Sequence, residues 1–324
     1  MTPPSSSDGS DPPVPSTTGE LTENQLIAQL ARRYYLEDTS KVELAKETGI
    51  SRFKIARLLA RGREKGIIRI EILEPTTDLP MFSVPLAEHL GLDLVRVIDS
   101  QGEIAEVRDQ LGAMGAQVIR ELTHPGDNVG FTWGRTILSV ASQLQDPPAF
   151  TAVQITGEIP SETATSPIER LRPRLEEAHG AAHTIKAPLF VGTTAERQRW
   201  MDELTFVRGL FEHLDLAMVS VGSWDPPETQ IRDEFPPVVR ARLDAAGAVG
   251  EIAGIWFDAD GGIVAPEVTR LCVTLETHHL RRTPQVVAVA AGAKKAKAIA
   301  GAARTRFVNG LITDRDTAEK ILES

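Results

Sequence analysis

The chain has 324 residues, of which 41% are hydrophobic and 25% charged. That is enough to bury the core of one large or two ordinary domains and excludes wholesale disorder. A single cysteine, Cys272, excludes an internal disulfide framework and a multi-cysteine zinc site, and apolar runs such as 286–291 are too short to span a bilayer. The net charge of −10 is unevenly spread: residues 21–74 hold 11 Lys and Arg against 8 Asp and Glu, and 51–70 hold seven against one.

No basic stretch followed by an apolar one opens the chain, so the expectation is a soluble, cytoplasmic protein without a secretory signal. Residues 1–20, mostly Ser, Pro, Thr, Gly and Asp, are expected to form a disordered tail. A first domain is expected over 21–75, a linker over 76–82 and a larger domain over 83–324.

Residues 22–36 carry Leu26, Ile27, Leu30 and Tyr34 at helical spacing. Ser40-Lys41-Val42-Glu43 is a capping-box signature opening a helix over about 41–48, with Val42, Leu44 and Ala45 expected inside. Gly49 supplies a turn, Ile50 plugs the small core, and Ser51 caps a third helix over about 52–65. In that helix Ile55, Leu58 and Leu59 share one face, while Phe53, Lys54, Arg57 and Arg61 fall opposite. A short turn leading to a helix that is apolar inside and basic outside fits the recognition helix of a helix-turn-helix, with 67–72 as a wing strand. The DNA-contacting candidates are Ser40, Lys41, Ser51, Arg52, Phe53, Lys54, Arg57 and Arg61. The plain alternative is a three-helix bundle with a solvated basic face.

Downstream, apolar runs at 92–99, 128–132, 152–155, 184–191, 214–221, 249–257, 286–290 and 307–313 read as strands. Helical patterns lie between them at 104–122, 136–144, 167–178, 195–214, 236–246, 294–303 and 314–322. This alternation predicts an α/β domain, doubly wound around a parallel sheet. In such sheets ligands collect beyond the carboxyl ends of the strands. The best junction is Gly130-Phe131-Thr132-Trp133-Gly134-Arg135-Thr136: Gly134 lets backbone approach an anion, Thr136 offers a hydroxyl, and Arg135 offers a fork of donors. Alternatively, Trp133 is core and Thr136 an N-cap. His278-His279 is expected to be surface or core filler without an accompanying carboxylate, and His124 to serve a turn. Two of the three lysines in Lys294-Lys295-Ala296-Lys297 are expected to be merely solvated.

The run from Tyr35-Leu36-Glu37-Asp38 through Gly49-Ile50-Ser51-Arg52-Phe53-Lys54-Ile55-Ala56-Arg57 resembles the start of SorC-type (SorC/DeoR) bacterial transcriptional regulators, and the likeness continues along nearly the whole chain. The resemblance implies a winged helix-turn-helix domain joined to a sugar-phosphate-sensing domain whose fold is similar to sugar-phosphate isomerases. It implies that 130–136 cradles a phosphate, that Gly222 lies at the site, that Asp258 accepts bonds from sugar hydroxyls, and that Lys295 meets the phosphate or the sugar. Glu158 and Ala291 depart from the pattern, since relatives often carry Gly at both places, so the effector's size and charge cannot be inherited.

The expectation is therefore a DNA-binding regulator of carbohydrate or polyol metabolism, a homodimer or homotetramer whose grip on operator DNA follows a phosphorylated sugar or polyol. No cofactor, metal, membrane or catalytic residue is expected. The competing reading is a sugar-phosphate isomerase or deaminase with an accessory DNA-binding domain. Asp258, Glu158 and His124 are available to it, but no two of them form a catalytic motif.

Overall fold

The computed structural model describes residues 22–68, 77–100, 102–159, 166–229 and 231–324. The chain divides into two compact units, 1–74 and 75–324. The expected tail at 1–20 lies outside the described residues, as does the expected wing strand beyond Ile68.

The smaller unit contains α1 (Glu23–Tyr35), α2 (Lys41–Thr48) and α3 (Arg52–Glu64). The expected capping box opens α2: Ser40 Oγ accepts from the Glu43 amide at 3.2 Å, and Glu43 Oε2 accepts from the Ser40 amide at 2.9 Å. Gly49 closes the helix at φ 70°, the left-handed conformation that glycine adopts without steric cost. Ile27, Leu30, Leu44, Ile55, Leu58, Leu59 and Ile68 form the core. Val42, expected inside, is 50% exposed, because in so short a helix Leu44 takes the inward position.

The larger unit is the expected doubly wound α/β body. Its elements are α4 (Pro80–Leu90), β1 (Leu94–Ile98), α5 (Ile104–Leu122), β2 (Asn128–Phe131), α6 (Arg135–Gln143), β3 (Thr151–Gln154), α7 (Pro167–Glu177), β4 (Ala181–His183), α8 (Thr194–Glu203), α9 (Thr205–Phe211) and β5 (Leu216–Val219). There follow β6 (Gly222–Ser223), α10 (Pro237–Ala245), β7 (Gly250–Ile252), β8 (Ile255–Phe257), α11 (Pro266–Thr269), α12 (Thr277–Arg282), β9 (Gln285–Val289), α13 (Ala296–Arg304), β10 (Gly310–Asp314) and α14 (Arg315–Leu322). Among the described residues seven strands form one parallel sheet in the order β1-β10-β9-β5-β2-β3-β4. Side chains alternate between its faces. Val129, Phe131, Met218 and Val287 pack beneath α5, α6 and α7, whereas Val153, Ala217, Val219 and Ala288 pack toward α4, α9, α13 and α14. Strand order reverses between β2 and β5, which opens a crevice at their carboxyl ends.

Four expectations are corrected. Residues 249–257 are not one strand but the β7–β8 hairpin, since Ala253 and Gly254 both turn at positive φ. Residues 184–191 make only isolated bridges, at Pro188 and Phe190, and Pro188 has no amide to extend a ladder. The helix expected over 195–214 is two, α8 and α9. The linker expected to reach residue 82 ends sooner: Asp78 Oδ1 accepts from the Val97 amide at 2.8 Å, and α4 begins with Pro80 at its first turn.

α6, which carries the candidate phosphate junction at its start, lies close against α5 because Gly112 and Gly115 have no side chains. A Cβ at Gly112 would come within 2.7 Å of the Ser139 carbonyl carbon. We therefore expect Gly112→Val to lose about 2–3 kcal/mol in denaturant unfolding of the larger unit. Gly209→Ala, which meets nothing within 4 Å inside α9, should be neutral or slightly stabilising.

Candidate functional site

The chain leaving β2 is held from both sides. Thr132 is buried and its hydroxyl accepts from the Ser220 amide at 3.0 Å. Ser220 Oγ donates to the Trp133 carbonyl at 2.8 Å, and the Trp133 amide donates to Thr156 Oγ1 at 3.3 Å. Gly134 then turns at φ 140°, where a Cβ would also lie 2.9 Å from Ser220 Oγ. Only glycine satisfies both conditions. It is the N-cap of α6, and among the described residues no side chain caps that helix, which leaves its first-turn amides open to another acceptor.

This turn forms one wall of a cavity of about 550 Å³ beyond the carboxyl ends of β2, β5 and β9. Trp133, Gly134, Arg135, Thr136, Gly222 and Lys295, all singled out from the sequence, line it. Gly130 and Thr132 do not. Gly130 is a packing position whose Cβ would press on Ile155 and Leu214, and Thr132 is the pin behind the turn. Asp258 is also elsewhere: its Oδ1 accepts from the amides of Asp260 and Gly262, at 3.0 and 2.8 Å, and closes the turn after β8. Of the two departures from the family pattern, Glu158 is exposed and does not line the cavity, whereas Ala291 does.

Two acids do line the cavity: Glu228, which is exposed, and Glu251, which is buried on β7. Glu251 Oε2 accepts from the Gly254 amide at 3.1 Å, and Thr229 donates its hydroxyl to Glu251 Oε1 at 3.3 Å. Burial raises the Glu251 carboxyl above the usual range, with those two bonds and Lys295 opposing. Gly222 is bare because Glu251 Oε1 occupies the space its Cβ would take. Arg108 of α5 also lines the cavity. Both residues left signals in the sequence. Glu251 is an acid flanked by apolar strand residues, and Arg108 lies on the same helical face as Ile104, Val107 and Leu111.

The electrostatics are lopsided. Among the described residues neither Arg108, Arg135 nor Lys295 has an acidic partner within 4 Å, while Lys294 pairs with Glu228 at 3.5 Å. Desolvation lowers Lys295, with Arg135 and Arg108 adding to the effect and Glu251 and Glu228 opposing it. Desolvation also lowers Arg108, again with Arg135 adding. The cations thus repel one another across a partly desolvated space. The buried indole N–H of Trp133 has no acceptor among the described residues.

On the smaller unit, Arg52, Phe53, Lys54 and Arg57 are exposed on α3. No acidic partner lies within 4 Å of those three cations among the described residues. The first turn of α3 contains no acid, although the helix dipole favours one there. Farther along, Glu23 neutralises Arg61 and Lys65 at 3.0 and 3.1 Å. Ser51 Oγ accepts from the Lys54 amide at 3.3 Å, and Lys41 sits over the Tyr34 ring at 4.8 Å.

His124 is exposed and serves a turn: its amide donates to Asp127 Oδ2 at 2.7 Å. The pair expected to be filler proves to have a carboxylate. Nε2 of His279 and of His278 approach Glu212 Oε1 at 3.1 and 3.5 Å. His279 Nδ1 accepts from the Glu276 amide at 2.9 Å, so the ring proton resides on Nε2 and is donated to Glu212. A metal at that Nε2 would need the other tautomer and would break the cap of α12. Burial, with His278 adding, lowers His279 below the ordinary imidazole value. The neutral ring is the folded form, so its contribution is whole above about pH 6.5 and is lost as pH falls through the folded-state value. Between about pH 7.5 and about pH 5.5 the thermal midpoint should drop further in the parent than in His279→Asn, which accepts the cap bond without titrating.

Comparison with known proteins bears on both units. The family model described as "Putative sugar-binding domain" matches residues 75–323. The chain is 30% identical over 323 residues to the sorbitol operon regulator of Klebsiella pneumoniae, covering 92% of this chain and 98% of the other. It is 28% identical over 305 residues to the deoxyribonucleoside regulator of Bacillus subtilis (strain 168), covering 92% and 97%. The crystal structure of the full-length sorbitol operon regulator SorC from K. pneumoniae superposes with a TM-score of 0.68 at 28% identity, over 94% of this chain and 100% of that one. No described helix is long and apolar enough to cross a membrane.

Proposed function

The chain belongs to the SorC-type family of sugar-binding transcriptional regulators, and on that premise we propose that it grips operator DNA through α3 and senses a phosphorylated sugar or polyol in the cavity of its larger unit. It is a regulator and not an enzyme, like its relatives.

The observation that carries the effector reading is the set of Arg108, Arg135 and Lys295 around one cavity, unpaired among the described residues and mutually repelling. A phosphate would relieve that repulsion, accept from both guanidinium forks and take the free first-turn amides of α6. A ligand oxygen would give the Trp133 indole N–H the acceptor it lacks, at a site where an unmade bond costs about 1–3 kcal/mol. Glu251 takes the part that the family likeness suggested for Asp258. Of the two acids lining the cavity it is the buried one, in a position to accept from, or donate to, hydroxyls of the sugar, whereas Glu228 is exposed and paired with Lys294. The apolar side chains of Ile104, Val107 and Leu111 suit the carbon skeleton.

The DNA reading rests on the cationic first turns of α3. Arg52, Lys54 and Arg57 oppose the helix dipole there, an arrangement that a polyanion reverses. One short helix reaches few bases, so a symmetric operator read by a homodimer or homotetramer follows. Effector binding would favour one arrangement of the subunits and change the spacing of their α3 helices, coupling the two sites by differential affinity.

Two outcomes are expected. Arg57→Ala should weaken operator retardation roughly tenfold or more with unchanged circular dichroism, and lower the slope of log affinity against log salt by about one. Phosphorylated sugars or polyols at about a hundred times their dissociation constant should stabilise the parent by about 2.7 kcal/mol in thermal-shift titration. Arg135→Ala should lose most of that stabilisation. Equal stabilisation of the two proteins would remove the phosphate reading.

A further inference from the structure

Phe53 is the second residue of α3 and is 68% exposed. It takes no part in the core of the smaller unit, which is built from residues on the opposite side of the helix. A phenyl ring so placed contributes little to folding, and it stands among cations: the Arg52 guanidinium lies 4.9 Å from its centroid, Lys54 follows it, and Arg57 shares its face one turn on. An apolar or protein partner is a poor match for a ring fenced by three positive charges that have no acidic partner among the described residues. A duplex fits both parts, phosphates for the cations and base edges for the ring.

From this placement we propose that Phe53 reads the 5-methyl group of a thymine in each half-site of the operator. The inference rests on the DNA reading above and deepens it. A phenyl ring can neither donate nor accept a conventional hydrogen bond, so it cannot distinguish bases by the donor and acceptor pattern of the major groove. The one apolar group on that edge of the base pairs is the thymine methyl. The first residues of a recognition helix are those that approach base edges, and Phe53 is the apolar member of that first turn. Ser51 supports it from behind by capping the helix.

The test uses the full chain and removes only the methyl group. Duplexes selected by the full-length protein from a randomised pool are resynthesised with deoxyuridine in place of thymine, one position at a time, and affinities are measured for the parent, Phe53→Ala and Phe53→Leu. At one thymine per half-site, deoxyuridine should weaken the parent about fourfold, the factor expected for one buried methyl group. Phe53→Ala should bind the thymine duplex at least that much more weakly and be indifferent to the replacement, while Phe53→Leu keeps part of the discrimination. Thermal midpoints should match, since the ring lies outside the core. A parent indifferent to deoxyuridine at every position, or a Phe53→Ala protein that keeps the parent's penalty, overturns the inference and leaves the DNA reading standing. Failure of the full chain to enrich any duplex overturns both.

Discussion

Between the carboxyl ends of β2 and β5, Ser220 joins two neighbouring strands where the chain departs from the sheet to either side. Its amide donates to Thr132 and its hydroxyl donates to the Trp133 carbonyl. With those bonds made, the chain must turn at Gly134 in a conformation that excludes any side chain, and α6 must start at the cavity wall. The backbone at Arg135 and Thr136 is thereby fixed at the cavity wall. The tight approach of α5 to α6 across Gly112 and Gly115 brings Arg108 to the same space.

The two units present positive charge in different dielectric settings. Arg52, Lys54 and Arg57 are in solvent, where their attraction for a polyanion is long-ranged but screened by salt. Arg108 and Lys295 are partly desolvated, so their mutual repulsion and their attraction for one compact anion are both stronger. The first setting suits a partner that must be found quickly and released. The second suits discrimination among small molecules, with Glu251 held opposite the cations by Thr229 and Gly254. Among the described residues neither set has an acidic partner within 4 Å, whereas elsewhere the chain pairs its charges freely, as Glu23 does with Arg61 and Lys65.

The strands that alternate with helices were legible because a strand buried on both faces is apolar throughout, and the capping box at Ser40 because both of its members are local. Several readings misled because a distant residue overrode a local signal. Ala253-Gly254 is a weak turn signature by itself, and only pairing of β7 with β6 and β8 made it a hairpin. Asp258 and Glu251 are both acids near one strand pair. Asp258 finds its donors two and four residues away, whereas Glu251 finds Gly222, Thr229 and Lys295 around a cavity. Glu212 could not be connected with His278 and His279 across more than sixty residues of chain.

By itself the amino-acid order determined most of the helices and the apolar strands of the parallel sheet, where the basic face of α3 begins, and which β2–α6 junction has glycine where a turn needs it. Each of these follows from interactions within a few residues: periodicity, caps and turn preferences. Only the tertiary structure decided which charges share a space, that Arg108 and Glu251 line the cavity and Asp258 does not, and that Glu23 pairs with Arg61. The physical reason is that charge interactions and desolvation depend on distance through space, and chain order leaves that distance open until packing closes it.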